Sequence, residues 1–307
     1  MKIFDLVLFQ TMGDVLMTTP IISEIKRQYP DVQIRFHTNK VYKGLLAGNP
    51  EINDIVLYDG GSYPDVYQYL RGKQSDHIAR MARANHYDTM WHHTPETRNS
   101  HMIDWYASRT GLLTTPIKDK HIRFNIGDEA RKNISPIIPN NTYAVIHTTS
   151  RVASKDWPIQ HFTKLVSMIK KSMGIEVVQI GIGSDKRVPG TIDLCGKTVY
   201  QETAAVLERA KFYVGVDGGP SYLAESVNLP SVIVMGATMG CAQESGQKGP
   251  FVGPIGPSVR YVEPVRPKEA VCRPVPCFTH CQLNNPCNIA IIPEKVLEVI
   301  KETIHVD

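Results

Sequence analysis

Three short stretches of this chain combine residue types that could do chemistry. In Phe9-Gln10-Thr11-Met12-Gly13-Asp14-Val15, followed by Thr18-Thr19-Pro20, a carboxylate stands where an apolar run gives way to a helix-length segment. Gly13 permits a tight turn there, and Asp14 beyond the end of a strand could accept a proton from a hydroxyl nucleophile. Aspartate also caps helix N-termini, so these residues alone leave cap and base open; one residue can do both. The second stretch is His147-Thr148-Thr149-Ser150-Arg151, then Lys155-Asp156-Trp157-Pro158. Hydroxyls and backbone N–H groups after a strand can hold phosphate oxygens, and Lys155 adds a compact positive charge suited to a diphosphate. A polar loop with a solvated lysine is the plainer alternative. The third stretch runs Val214-Gly215-Val216-Asp217-Gly218-Gly219-Pro220-Ser221-Tyr222-Leu223-Ala224. A buried strand leads into an acid, two glycines and a proline at the first turn of a helix. That arrangement lets backbone approach a ligand closely and offers unpaired N–H groups with a favourable dipole, a ready diphosphate cradle.

Weaker signals surround these three. Gly181-Ile182-Gly183-Ser184-Asp185 lacks the third glycine of a dinucleotide fingerprint and reads as a nucleoside-contacting loop, with Asp185 a candidate ribose partner. His92 and His93 follow an expected strand; with Gly13, His101 and Asp104 they are the acceptor-side candidates, surface or capping roles being the alternative for the two adjacent histidines. Cys272, Cys277, Cys281 and Cys287 are spaced C-x4-C-x3-C-x5-C, looser than paired knuckles. Four thiolates could enclose a structural zinc ion, with disulfides or buried thiols as alternatives; none of these places the cluster in the chemistry.

The elements that must position these residues alternate between short apolar runs and helix-length segments, the α/β pattern with parallel sheets. In the first half the expected strands are 3–9, 32–37, 55–58 and 87–92, with helices at 15–28, 41–47 and 102–110. A breaker-rich stretch at 136–141 reads as a linker. The alternation then restarts with strands at 143–147, 176–180, 212–216 and 231–235, helices at 159–172 and 203–210, and an irregular region over 246–274. Two Rossmann-like domains follow, 1–138 and 139–292, with a closing helix in 293–307. Ligands in such sheets bind beyond the carboxyl ends of the strands, so two facing domains imply a central cleft with one substrate on each side. A bisubstrate transferase fits that plan. An oxidoreductase using a dinucleotide would need a complete glycine fingerprint after the first strand, and FQTMGD does not supply one.

A 42% hydrophobic and 21% charged composition excludes a disordered chain. The net charge of +4 suits acidic small molecules or an anionic membrane surface and does not demand nucleic acid. The first ten residues lack the cleavage site of a signal peptide, and no apolar run approaches the roughly 20 residues of a bilayer span. The expectation is a cytoplasmic protein, in reach of the inner face of the membrane.

Taken in order, the motifs resemble glycosyltransferase family 9, the ADP-heptose:lipopolysaccharide heptosyltransferases of GT-B fold. GDVLMTTP matches the family's glycine-aspartate and Thr-x-Pro pattern, TTSRVASKDWP its hydroxyl residues before Lys-x-Trp-Pro, and DGGPSYLA its Asp-[Ser/Thr]-Gly-Pro-x-His-Leu-Ala signature. A strand and Gly-Ala-Thr at 236–238 follow; HMIDWYASRTGL (101–112) and the Cys-rich segment before the last helix recur there too. The resemblance implies an inverting transferase that takes sugar from a nucleotide-diphosphate donor to a glycan or lipid-linked acceptor such as lipopolysaccharide core. It implies Asp14 as base, and donor contacts from Thr149, Ser150, Lys155, Asp217, Gly218 and Gly219, with Ser221 and Tyr222 in the same signature. Lys155 and the helix N-terminus would stabilise the departing diphosphate, so no metal cofactor is required. Gly218 stands where the family has Ser or Thr, and Tyr222 where it has His, so heptose does not follow from these residues. A catalytically inactive sugar-nucleotide-binding scaffold is the competing reading, which turnover of a nucleotide sugar would separate.

Overall fold

The computed structural model describes residues 1–60, 63–81, 101–114, 116–236, 253–264 and 285–304. Two compact units divide between Asn125 and Ile126. The expected strand 87–92 lies outside the described residues.

In the first unit, β1 (Ile3–Val7), β2 (Gln33–Asn39), β3 (Asp54–Tyr58) and β4 (His77–Arg80) form a parallel sheet in the order β3-β2-β1-β4. β1 is central, and Phe4 to Val7 are buried. It nevertheless carries a charge: Asp5 is fully buried, held by Arg35 through two 2.8 Å contacts and by His37 Nε2 at 2.7 Å. Burial alone would raise its pKa, but the His37 and Arg35 hydrogen bonds win and hold the carboxyl well below the usual range. The expected helix 15–28 is two helices, Met12–Met17 and Thr19–Gln28. Pro20 causes the break, because its missing N–H leaves the Leu16 carbonyl without a helical partner. The Thr19 hydroxyl takes that carbonyl at 2.8 Å.

In the second unit, six parallel strands follow the order β10-β9-β8-β5-β6-β7. They are β5 (Tyr143–His147), β6 (Glu176–Ile180), β7 (Ile192–Asp193), β8 (Tyr213–Val216), β9 (Ser231–Val234) and β10 (Val259–Val262). β5, β8 and β9 are buried along their whole length, as strands covered on both faces must be. The unit starts before the expected boundary at 138. The helix Asp128–Ile134 docks on the helix Tyr200–Glu208: Arg131 Nε pairs with Glu208 at 2.8 Å and Asn133 reaches Glu202 at 3.0 Å. The 136–141 stretch is thus a loop within the unit. The closing helix, Pro293–Ile304, buries Val296 and Ile300 in the core of the same unit, with Trp157, Phe162 and Val232.

Candidate functional site

In both sheets the motif residues follow a central strand where the strand order reverses. In the first, the chain steps outward from β1 to β2 and β3, and β4 lies on the other side of β1; Asp14 comes after β1. In the second, β5 and β8 are neighbours, with His147 opposite Gly215, and their following segments lead away to opposite sides of the sheet. Such reversal points open a crevice at the carboxyl ends of the strands.

Thr11, not Asp14, is the N-cap of the helix Met12–Met17. Asp14 lies one turn in, and its Oδ2 accepts from the Thr11 backbone N–H at 2.9 Å and the Thr11 hydroxyl at 2.7 Å. Tyr106, on the helix Met102–Thr110, donates its hydroxyl to Oδ1 at 2.6 Å. Asp14 is 8% exposed, so it is a fixed carboxylate at the mouth of the reversal point. A neighbour in sequence thus orients one oxygen and a residue from another helix orients the other.

The remaining first-unit candidates have structural partners. His101 is buried at the N-cap of the helix Met102–Thr110 and accepts the Ile103 N–H at 3.1 Å. Asp104, also buried, accepts the Ile117 N–H at 2.7 Å and lies 3.2 Å from Lys120 Nζ. Gly13 is buried within the short helix. His92 and His93 lie outside the described residues, as do Cys272, Cys277 and Cys281; Cys287 is half-buried in the short helix Pro286–Ile289.

The second unit brings the second and third motifs together. Lys155 ends a 3-10 turn, Ala153–Lys155, and its Nζ meets Asp217 Oδ2 at 2.6 Å, the two side chains being only 13% and 3% exposed. The pair spans the loops after β5 and β8. An ammonium carries three donors, so Asp217 can steady the lysine without exhausting it. The Ser150 N–H is held by Asp156 Oδ1 at 2.6 Å, and Thr149 Oγ1 lies 3.3 Å from Thr148 Oγ1. Burial pushes the Asp156 carboxyl up to about 6, against the Ser150 hydrogen bond. After Asp217, Gly218 is the N-cap of the helix Gly219–Ser226, and both glycines are half-buried. Gly218 has an ordinary extended backbone (φ −172°). A Cβ there would lie 3.5 Å from His147 Cε1, a normal contact, so the turn does not exclude a Cβ at this position. His147 was absent from the expected site. Its ring is buried, burial pushes its pKa down to about 4, and Nδ1 has no hydrogen-bond partner among the described residues.

Three expected donor contacts sit differently. Ser221 is fully buried and donates to the Gly218 carbonyl at 2.6 Å, and Tyr222 is 2% exposed, so neither is presented at the open turn. Asp185 Oδ2 accepts the Ile182 N–H of its own loop at 2.9 Å.

Two parallel α/β sheets, each with motif residues at its reversal point, are the plan of GT-B proteins. The family model described as glycosyltransferase family 9 (heptosyltransferase) matches residues 91–242. Lipopolysaccharide heptosyltransferase 3 of Escherichia coli is 24% identical, over 74% of this chain and 81% of that protein. A family 9 glycosyl transferase from Veillonella parvula superposes with a TM-score of 0.75 at 16% identity, covering 99% of this chain and 97% of that one. The E. coli ADP-heptose lipopolysaccharide heptosyltransferase II gives 0.73, also at 16% identity, covering 99% and 98%. The chain is thus similar to the glycosyltransferases of family 9, the heptosyltransferases, in a family model, in curated sequence and in fold. Among the described residues no helix is long and apolar enough to cross a membrane, and no group of metal-ligating side chains is assembled.

Proposed function

We propose that this protein transfers a heptose-type sugar from its nucleoside-diphosphate donor to a hydroxyl of a lipopolysaccharide core-type acceptor, with inversion. The relatives named for that reaction support the substrates. The observation that carries the reading is the Lys155–Asp217 pair, a half-buried lysine on a buried aspartate, which unites two motifs distant in sequence beside a helix N-terminus. In the reaction, the acceptor oxygen bonds to the anomeric carbon as the bond from that carbon to the diphosphate oxygen breaks. Asp14 takes the acceptor proton. Lys155 and the N–H groups at the start of the helix Gly219–Ser226 stabilise the charge arriving on the leaving diphosphate, with Thr149 and Ser150 holding its oxygens. Because the acceptor is lipid-linked, the reading has the enzyme working in the cytoplasm at the inner face of the membrane.

The test is a thermal-shift screen of nucleoside diphosphates and their sugars, since a ligand that binds the folded state raises its stability by mass action. The responding sugar nucleotide is then assayed for transfer to lipopolysaccharide core. ADP-heptose is expected to bind and turn over. Stabilisation without turnover on any core acceptor would refute the proposed reaction. In Lys155→Ala, diphosphate binding should weaken by roughly 1–3 kcal/mol, the scale of a charge-assisted hydrogen bond.

A further inference from the structure

Lys155 sits on a turn that is braced from far along the chain. The Asn288 side chain, 1% exposed, donates Nδ2 to the Ser154 carbonyl at 2.8 Å and to the Asp156 carbonyl at 2.7 Å. These are the carbonyls on either side of Lys155. Both can only accept, so the amide nitrogen must face them. Asn285 Nδ2 reaches the Ala153 carbonyl at 3.3 Å, and the buried Trp157 indole donates to the Ile291 carbonyl at 2.8 Å. The turn's carbonyls and the residue after it are therefore tied to one segment, 285–291, which contains no donor-site candidate.

The other side of Asn288 meets the end of the sheet. A Cβ on Gly236, just after β9, would lie 1.1 Å from Asn288 Oδ1, so only a glycine lets the amide occupy this place. Oδ1 itself is buried without a hydrogen-bond partner among the described residues, a cost that the contact with Gly236 does not offset. We infer that Asn288 is a positioning residue for Lys155. It fixes the turn so that the ammonium stands over Asp217 and the donor diphosphate, and Gly236 is kept free of a side chain to admit it. The inference rests on Lys155 binding the donor diphosphate.

The test is a double-mutant cycle on the full chain, read as ADP affinity by calorimetry, with donor KM and kcat measured beside it. Asn288→Ala should weaken ADP about tenfold in the otherwise unchanged protein and less than twofold once Lys155→Ala is also present, because its effect runs through the lysine. Asn285→Gly keeps the positive φ of 54° accessible and removes only the longest of these bonds. It should fold readily and show the same pattern at two- to threefold, which keeps the question answerable should Asn288→Ala misfold. Equal losses with and without Lys155 would overturn the inference and leave 285–291 a general support. If Lys155→Ala itself leaves ADP affinity unchanged, the donor reading fails first and the inference falls with it.

Discussion

Replacing Asp14 by Asn separates its two roles, and the structure sets the size of each effect. The carboxylate accepts hydrogen bonds from the Thr11 N–H and hydroxyl on one oxygen and from Tyr106 on the other. An asparagine keeps one acceptor oxygen and turns its amide toward the other partner, where a hydroxyl can reverse its role. What is lost is mainly charge assistance, so folding stability should fall by only about 1–2 kcal/mol. A proton acceptor cannot be replaced in this way. Transfer should fall by roughly 10²–10⁴-fold, the usual loss of a general base, while donor affinity, a property of the second unit, is retained. The assay is release of nucleoside diphosphate in the presence of acceptor, with donor binding measured by calorimetry on the same preparation. Tyr106→Phe serves as the control: it removes one hydrogen bond from the same carboxylate and should cost about tenfold or less in transfer. A near wild-type rate in folded Asp14→Asn would make this aspartate a capping-box residue only, and the catalytic reasoning would fail.

Two further predictions follow from charges in the two units. Arg35→Met leaves the fully buried Asp5 carboxylate without its guanidinium partner, held only by the hydrogen bonds of His37 and Ser75, and should destabilise the protein by about 3–5 kcal/mol in denaturant titration; a loss below 1 kcal/mol would show that the buried pair is dispensable. The Asp156 carboxyl, raised to about 6, is neutral below that pH and charged above it, beside the proposed diphosphate loop. Nucleotide-sugar affinity should therefore fall as pH rises from 5 to 7, and this dependence should flatten in Asp156→Asn; a sugar diphosphate is the proper probe, because a free terminal phosphate titrates in the same range.

The legible parts of this protein are those whose chemistry is local. A βα turn gathers its acid, glycines and helix N-terminus within a few residues, so Asp14, Lys155 and Asp217 stand out in sequence. The pairing of Lys155 with Asp217 was not visible, because it depends on β5 and β8 being neighbours across 62 residues. Tyr106 reaches Asp14 across 92 residues and Asn288 reaches Ser154 across 134; Tyr106 lies in the recurring stretch 101–112, but nothing local ties either residue to its partner. The capping box was readable as Thr11-x-x-Asp14, a pattern that assigns the cap to the threonine. Sequence pattern does not mark β4, because His77-Ile78-Ala79-Arg80 is a short strand with one buried residue, not an apolar run. Ser221 and Tyr222 share the donor signature, yet the helical period turns them inward while Gly218 and Gly219 remain at the turn.

The Thr-Thr-Pro sequence after Asp14 illustrates how a motif residue can serve the site through the backbone. Pro20 withdraws the N–H that would have bonded to Leu16, and the fully buried Thr19 hydroxyl takes that carbonyl at 2.8 Å. The same oxygen accepts the Arg123 N–H at 2.9 Å, so one hydroxyl satisfies a helix break and a strand-like segment 104 residues away. Thr19→Val preserves shape and removes both bonds. The half-buried Arg123 N–H and the buried Leu16 carbonyl each lose this partner, which predicts a loss of about 2–3 kcal/mol. Thr18→Val loses a hydroxyl bond to Val15 whose carbonyl also accepts the Thr18 N–H at 3.1 Å, so it should cost under about 1.5 kcal/mol. Denaturant midpoints of the two variants decide the matter. Equal, small losses would mean that the break is satisfied by other groups, and the buried threonine would then serve by packing rather than through these bonds.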